Sequence, residues 1–290
     1  MGKSEFAWHQ FDDLVSAEQL LSYMTREYEH GLYSHYTSIP VLENIVGSKS
    51  FWLNMVDNLN DKKERDALKN TGPWFSLCFS TGVNENLALW YMYSGMHGKG
   101  ARISFTKAKI KTMIAKARYT LIEVDGDKVV REICPLTIDE DISLSFRDVL
   151  YAKEQKGKVS LKYNTMTNYN IPIEEFEKYK KVHAGFVKSL IWYYEKETRL
   201  LIQLKGTAKD QIKGEGKNFR IRLSFEHLKD KDYKITLAPE HPSVLEAIKH
   251  HKALKNYYKN SKRVYPSDYS GEIEMNFCKN CPLNKKGEVI

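Results

Sequence analysis

Cysteine is scarce in this 290-residue chain: Cys78, Cys134, Cys278 and Cys281 are all there is. Four scattered thiols cannot frame a disulfide-stapled secreted domain. Cys278 and Cys281 form a C-x-x-C pair, but a tetrahedral zinc site takes four ligands. No second C-x-x-C or H-x-x-x-H completes the set, so no metal is expected, with His250 and His251 the nearest residues that could be recruited. Long apolar runs are missing too. The longest, Leu87 to Tyr93, covers seven residues, where a membrane-spanning helix takes about 20. Met1-Gly2-Lys3-Ser4-Glu5-Phe6 leads into acidic and polar sequence without the apolar stretch of a secretory signal. A cytoplasmic protein with no membrane partner is therefore expected.

Aromatic residues are plentiful: five Trp, eighteen Tyr and twelve Phe within a 42% hydrophobic composition. A chain so equipped can bury enough apolar surface to offset its conformational entropy. Its length exceeds that of a common single domain, and without a convincing linker or internal repeat the organisation expected is one elaborated catalytic domain over 1–290. An N-terminal helical segment (1–30) and a basic C-terminal extension (241–290) complete it. The net charge of +8 favours an acidic partner, whether a nucleic acid, a dinucleotide or an acidic inhibitor.

Short strands are expected at Gly31–Ser38, Phe51–Leu53, Trp74–Ser80, Ala101–Phe105, Tyr119–Val124, Thr198–Ile202, Phe219–Ser224 and Tyr233–Leu237, from their β-branched and aromatic content. Ser38 and Pro40 mark the entry to a helix. Asn84–Tyr93 has helical spacing, Asp139–Lys188 reads as mainly helical, and Pro242–Lys262 reads as a helix entered at Ser243, with Val244, Ile248 and Leu254 toward the core. The charged run Asp57–Lys69 reads as a solvated loop or helix. Strands and helices mixed without regular βαβ alternation give an α+β fold.

The segment richest in chemistry is Tyr194-Glu195-Lys196-Glu197-Thr198-Arg199-Leu200-Leu201-Ile202. Two carboxylates one residue apart share a face of an extended segment, and the apolar run after them anchors it in a sheet. Acids ahead of a strand are also commonly just solvated. Arg199 falls on the same face as Glu197 and reads first as its salt-bridge partner.

In order and type, His35-Tyr36-Thr37-Ser38, Phe79-Ser80-Thr81, Asn86-Leu87 with Trp90 and Tyr93, His97-Gly98, and Tyr194 through Arg199 resemble the ADP-ribosyltransferase superfamily, in particular a bacterial branch of toxin or defence type. The resemblance spans roughly residues 31–240. It implies ADP-ribosyltransferase-like split antiparallel β-sheets with flanking helices, and NAD as co-substrate in the cleft between the halves. By the same resemblance His35 holds the adenosine ribose, the backbone at Tyr36 and its neighbour Thr37 binds the nicotinamide amide, and Ser80 and Thr81 match the family's serine-threonine strand. Tyr93 or Trp90 would stack on nicotinamide, a core role for Trp90 standing equally open. Glu197 becomes the catalytic carboxylate and Glu195 the group beside the acceptor, its presence as a second acid leaving the acceptor type open.

Lys107–Arg118 and Lys249–Arg263 are rich in basic residues without acids, the second interleaved with Tyr257 and Tyr258. Such mixing suits a single-stranded RNA or DNA acceptor, while either stretch alone reads as a solvated helix face. Three functions follow: ADP-ribose transfer to nucleic acid under the control of an antitoxin or regulatory protein, transfer to a protein side chain, and noncatalytic nucleic-acid binding with structural acids.

Overall fold

The computed structural model describes residues 31–58, 62–68, 72–82, 84–93, 100–162, 169–212, 217–239 and 243–270. The expected N-terminal helices, His97-Gly98 and the Cys278–Cys281 pair lie outside these residues. In chain order the regular elements begin with β1 (Tyr33–Ser38), α1 (Ile39–Ser48), β2 (Ser50–Met55), α2 (Lys62–Leu68), β3 (Trp74–Thr81), α3 (Leu87–Tyr93), β4 (Gly100–Phe105) and α4 (Lys107–Lys116). There follow β5 (Arg118–Asp125), β6 (Lys128–Leu136), β7 (Ile142–Asp148), β8 (Leu150–Gln155), β9 (Lys158–Lys162), β10 (Tyr169–Pro172), α5 (Ile173–Val182), β11 (Val187–Ser189) and β12 (Glu197–Leu204). The chain continues through α6 (Gly206–Asp210), β13 (Asn218–Ser224), β14 (Tyr233–Leu237), α7 (Val244–Ala247), α8 (Lys252–Ser261) and β15 (Val264–Tyr265). This is an α+β architecture with sheets rich in antiparallel pairs.

The chain divides into two compact units. The first takes its described residues from Phe51–Thr81 and Arg118–Ser224. Within it β3, β2, β13, β5 and β6 follow one another across a sheet, and β12 lies between β3 and β7. Both pairings of β12 are antiparallel, with Glu197 opposite Ser80 and Arg199 opposite Cys78. Both edges of β12 are thus paired, and its near-continuous burial and Leu200-Leu201-Ile202 run show that both of its faces are covered as well. A four-stranded sheet, β10-β9-β8-β11, completes the unit.

The second unit holds Gly31–Ser50, Gly82–Ala117 and the described part of Phe225–Ile290, with strands in the order β15-β14-β4-β1. Helix α1 starts as its sequence dictates. The Ser38 side chain accepts from the Val41 backbone N–H, Pro40 occupies the first turn, and Lys49 ends the helix at φ 50°.

Two expectations fail in instructive ways. Among its described residues Asp139–Lys188 is mostly strand, with helix only at α5. Ile142-Ser-Leu-Ser-Phe alternates with the period of a strand, and Gly157, at φ 76°, permits the turn that joins β8 to β9. The tail forms two helices rather than one, broken between α7 and α8. Ser243 caps the first, accepting from the Glu246 N–H, and Ile248 and Leu254 are buried, while Val244 is only partly so.

The basic stretches take the shape of helix faces. Helix α4 turns Ile110, Met113 and Ile114 inward. In α8, Leu254 and Tyr257 lie three residues apart on one buried face. Tyr257 stacks on Tyr233 at 5.0 Å and donates its hydroxyl to the Tyr233 carbonyl, which removes it from any base-stacking role. Among the described residues no helix is long and apolar enough to cross a membrane.

Gly185 links packing to the site described below. Its φ is +90°, and a Cβ there would come within 2.7 Å of Leu201 Cδ2, inside a cluster of Val56, Leu68, Phe186 and Leu201. Gly185→Ala is expected to destabilise the protein by about 1–3 kcal/mol, read as a lowered denaturation midpoint in urea.

Candidate active site

In the first unit Glu197 is 4% exposed, and both of its carboxylate oxygens are engaged. Oε1 accepts from Arg199 Nε at 2.7 Å and Oε2 from Lys188 Nζ at 3.3 Å. The same ammonium lies 2.5 Å from Glu195 Oε2. Arg199, with no exposure at all, extends the network by donating through Nη1 to Glu64 and to the Gly185 carbonyl. Sequence periodicity placed the two acids on one face of an extended segment, and the backbone differs. Glu195 ends a 3-10 turn (Leu190–Glu195), and Lys196 adopts a left-handed conformation at φ 43° before the strand begins. What unites the carboxylates is therefore Lys188, not the strand repeat.

Neighbouring elements hold this turn. The Thr81 backbone N–H and hydroxyl both donate to the Lys196 carbonyl, at 2.9 and 3.0 Å, while Ser80 is the cross-strand partner of Glu197. The Glu197 N–H donates to the Tyr151 hydroxyl at 2.8 Å, its carbonyl accepts from the Val149 N–H, and the Thr198 hydroxyl donates to Asp148. Ser80 and Thr81, singled out by motif, thus lie against the acidic pair.

Glu64, Glu195 and Glu197 face Lys188 and Arg199, all buried. Burial pushes the Glu197 carboxyl above the ordinary glutamate range; Lys188 opposes the shift and Glu195 adds to it. Burial pulls the Lys188 ammonium down, but Glu197 and Glu195 together outweigh it and hold the group above the usual lysine range. Burial, with Glu197 adding to it, raises both the Cys78 thiol and the Tyr151 phenol well above their ordinary ranges. Both stay neutral, so Cys78 is no reactive thiolate.

The remaining predicted residues belong to the second unit. His35 is partly buried on β1, opposite Ile103, and Thr37 is 8% exposed. Tyr36 is buried; its hydroxyl accepts from Arg102 Nη1 at 3.2 Å and from the Asn86 N–H at 3.0 Å. Trp90 takes the core role. It is fully buried, edge-on to Tyr36 at 4.7 Å, with its indole N–H on Glu85, so neither ring face is open for stacking. Glu85 also accepts from the Ser267 hydroxyl and the Asp268 N–H and pairs with Arg102 at 3.6 Å. Tyr93 is exposed on α3 at 37%, as is Tyr91 at 43%.

Three members of the network escaped sequence reasoning. Glu64 sits in the charged run 57–69 that reads as solvated, yet it is 3% exposed. Lys188 and Tyr151 fall in the stretch that reads as helical. Neither Leu150-Tyr151-Ala152 nor Val187-Lys188-Ser189 is long enough to show a period, and it is the parallel pairing of their strands that sets Tyr151 opposite Lys188. A pocket of about 200 Å³ lined by Asp57, Leu68, Pro73 and Trp74 lies toward the Trp74 end of β3, whereas Glu197 pairs near the opposite end at Ser80.

Removing one buried partner strands the others. Arg199→Met is expected to cost about 3–5 kcal/mol, and adding Glu64→Gln should recover part of it, with urea unfolding of the single and double variants as the check.

A family model described as "Protein of unknown function (DUF2971)" matches residues 89–200, a span that holds Tyr151, Lys188, Glu195, Glu197 and Arg199. No curated protein matches the chain. Among solved structures the chain is similar to DarT of Thermus sp. 2.9 in complex with NAD+, at 8% sequence identity and a TM-score of 0.33, over 84% of this chain and 98% of that one.

Proposed function

We propose that this protein is an NAD-consuming mono-ADP-ribosyltransferase in which Glu197 is the catalytic carboxylate and Glu195 serves the acceptor. The observation that carries the reading is the burial of two carboxylates, Glu197 and Glu195, at one ammonium, that of Lys188. Breaking the bond between ribose C1′ and the nicotinamide nitrogen sends its electron pair out with neutral nicotinamide and builds an oxocarbenium-like cation at C1′. A preorganised anionic site of low polarity stabilises charge of that sign as it develops. At an effective dielectric of about 20 and a separation of about 5 Å, one carboxylate charge contributes ~3 kcal/mol, or ~100-fold in rate.

Glu197 would also accept a hydrogen bond from a ribose hydroxyl. The acceptor nucleophile then bonds to C1′ and gives its proton to Glu195, provided the site excludes water. Family resemblance supports the rest of the assignment: His35 for the adenosine ribose, the Tyr36 and Thr37 backbone for the amide, Tyr93 for stacking. Ser80 and Thr81 hold the turn that carries the acids.

The net charge of +8 favours RNA or DNA as acceptor and fits a toxin–antitoxin or phage-defence setting in the cytoplasm, with an acidic antitoxin as restraint. A protein side chain is the alternative acceptor. Labelled NAD incubated with lysate, then nuclease or protease, separates the two by which digestion releases the label. The closed pairing of Arg199 with Glu64 and Glu197 favours a second reading, a noncatalytic nucleic-acid-binding protein with structural acids, for which no label transfer and no nicotinamide release is the expected result.

Glu197→Gln tests the assignment without dismantling the fold, because the amide oxygen of Gln can still accept from Arg199 Nε. Nicotinamide release should fall at least ~100-fold with the unfolding midpoint retained; wild-type release in that variant discards the proposal. Glu195→Ala should lower transfer to the acceptor more than NAD hydrolysis. Since the carboxylate must be ionised and burial raises its pKa, wild-type activity should fall, on acidification, at a pH above the ordinary glutamate range. Free expression of a fully active chain without a growth defect would remove the antitoxin.

A further inference from the structure

Lys188 is shared by both acids of the pair. It stands on β11, whose Cα register sets it opposite Tyr151 of β8 in a parallel pairing. Side chains at paired positions leave a sheet on the same face, and here both reach one residue: Lys188 the Glu197 side chain, Tyr151 the Glu197 backbone N–H. With Arg199 holding the other carboxylate oxygen, the Glu197 carboxylate cannot rotate without breaking a charged hydrogen bond. The ammonium also lies 4.9 Å from the centre of the Trp192 ring, which walls it off and strengthens its field.

We propose that Lys188 is a positioning residue that clamps Glu195 and Glu197 into one ionised, fixed pair. This rests on Glu197 being the catalytic carboxylate. Two carboxylates brought to one buried point do not both stay ionised without a compensating cation, since one of them takes up a proton. The groups that face Glu197 are Glu195 from the turn, Arg199 from its own strand, Cys78 from β3, Tyr151 from β8 and Lys188 from β11, while Glu64 from α2 faces Arg199 on its far side. Of these, Arg199 pairs with Glu197 but is shared with Glu64 and the Gly185 carbonyl, and Cys78 and Tyr151 are neutral. Lys188 touches both acids at once and so answers the repulsion between them.

The test is the pH profile of nicotinamide release by the full chain. Lys188→Gln should move the acid limb upward by at least one pH unit, Lys188→Arg should return it to near the wild-type position, and Glu195→Gln, which leaves the ammonium to Glu197 alone, should move it downward. An acid limb that stays at the wild-type pH in both Lys188→Gln and Glu195→Gln, with only the amplitude reduced, overturns the proposal and leaves Lys188 as a packing residue. Carboxyl-carbon NMR titration of Glu197 in ¹³C-glutamate-labelled protein follows the same shifts without needing turnover. Failure of the catalytic reading is seen separately, as nicotinamide release undiminished in Glu197→Gln, while the NMR titration still decides the clamp.

Discussion

A carboxylate sealed from water is stable only if what surrounds it replaces its hydration, and Glu197 meets that requirement with two cations that are themselves shared. Lys188 divides its charge between Glu197 and Glu195, and Arg199 divides its charge between Glu197 and Glu64. The first unit is arranged around that sharing. Strand β12 carries Glu197 and Arg199 between two neighbours, α2 delivers Glu64, the small sheet delivers Tyr151 and Lys188, and the turn at Gly185 offers its carbonyl to Arg199. A buried ion pair contributes little net stability compared with apolar packing of similar volume, so the proposed role of Glu197 gives this network a reason that folding alone does not.

The second unit supplies the contrast. There Glu85 meets one arginine and three neutral donors, from Trp90, Ser267 and the Asp268 backbone, a charge-balanced cluster with its acceptor oxygens satisfied. The difference between the two clusters is that the first brings two carboxylates to one ammonium, and on that difference rests the proposal of catalysis at Glu197.

Much of this could be read from the chain. Ser38 with Pro40 marked the start of α1, and Leu200-Leu201-Ile202 marked a buried strand. Arg199 paired with Glu197 as its two-residue spacing required. What escaped reading depends on partners distant in sequence. Glu64 looks solvated because its run is charged, and only the arrival of Arg199, 135 residues later, makes it a buried residue. Lys188 and Tyr151 lie in strands too short to declare a period, and α5 between β10 and β11 lends the whole stretch a helical colour. Trp90 and Tyr36 showed their aromatic character but not their hydrogen bonds, which come from Glu85 and Arg102.

The account stands or falls on whether this chain opens the glycosidic bond of NAD. Purified protein given NAD labelled separately in its nicotinamide and adenosine halves, together with cellular nucleic acid, should release free nicotinamide and fix the adenosine label on the polymer in equal amounts. Both labels remaining together in intact NAD, with folded protein and acceptor present, would contradict it.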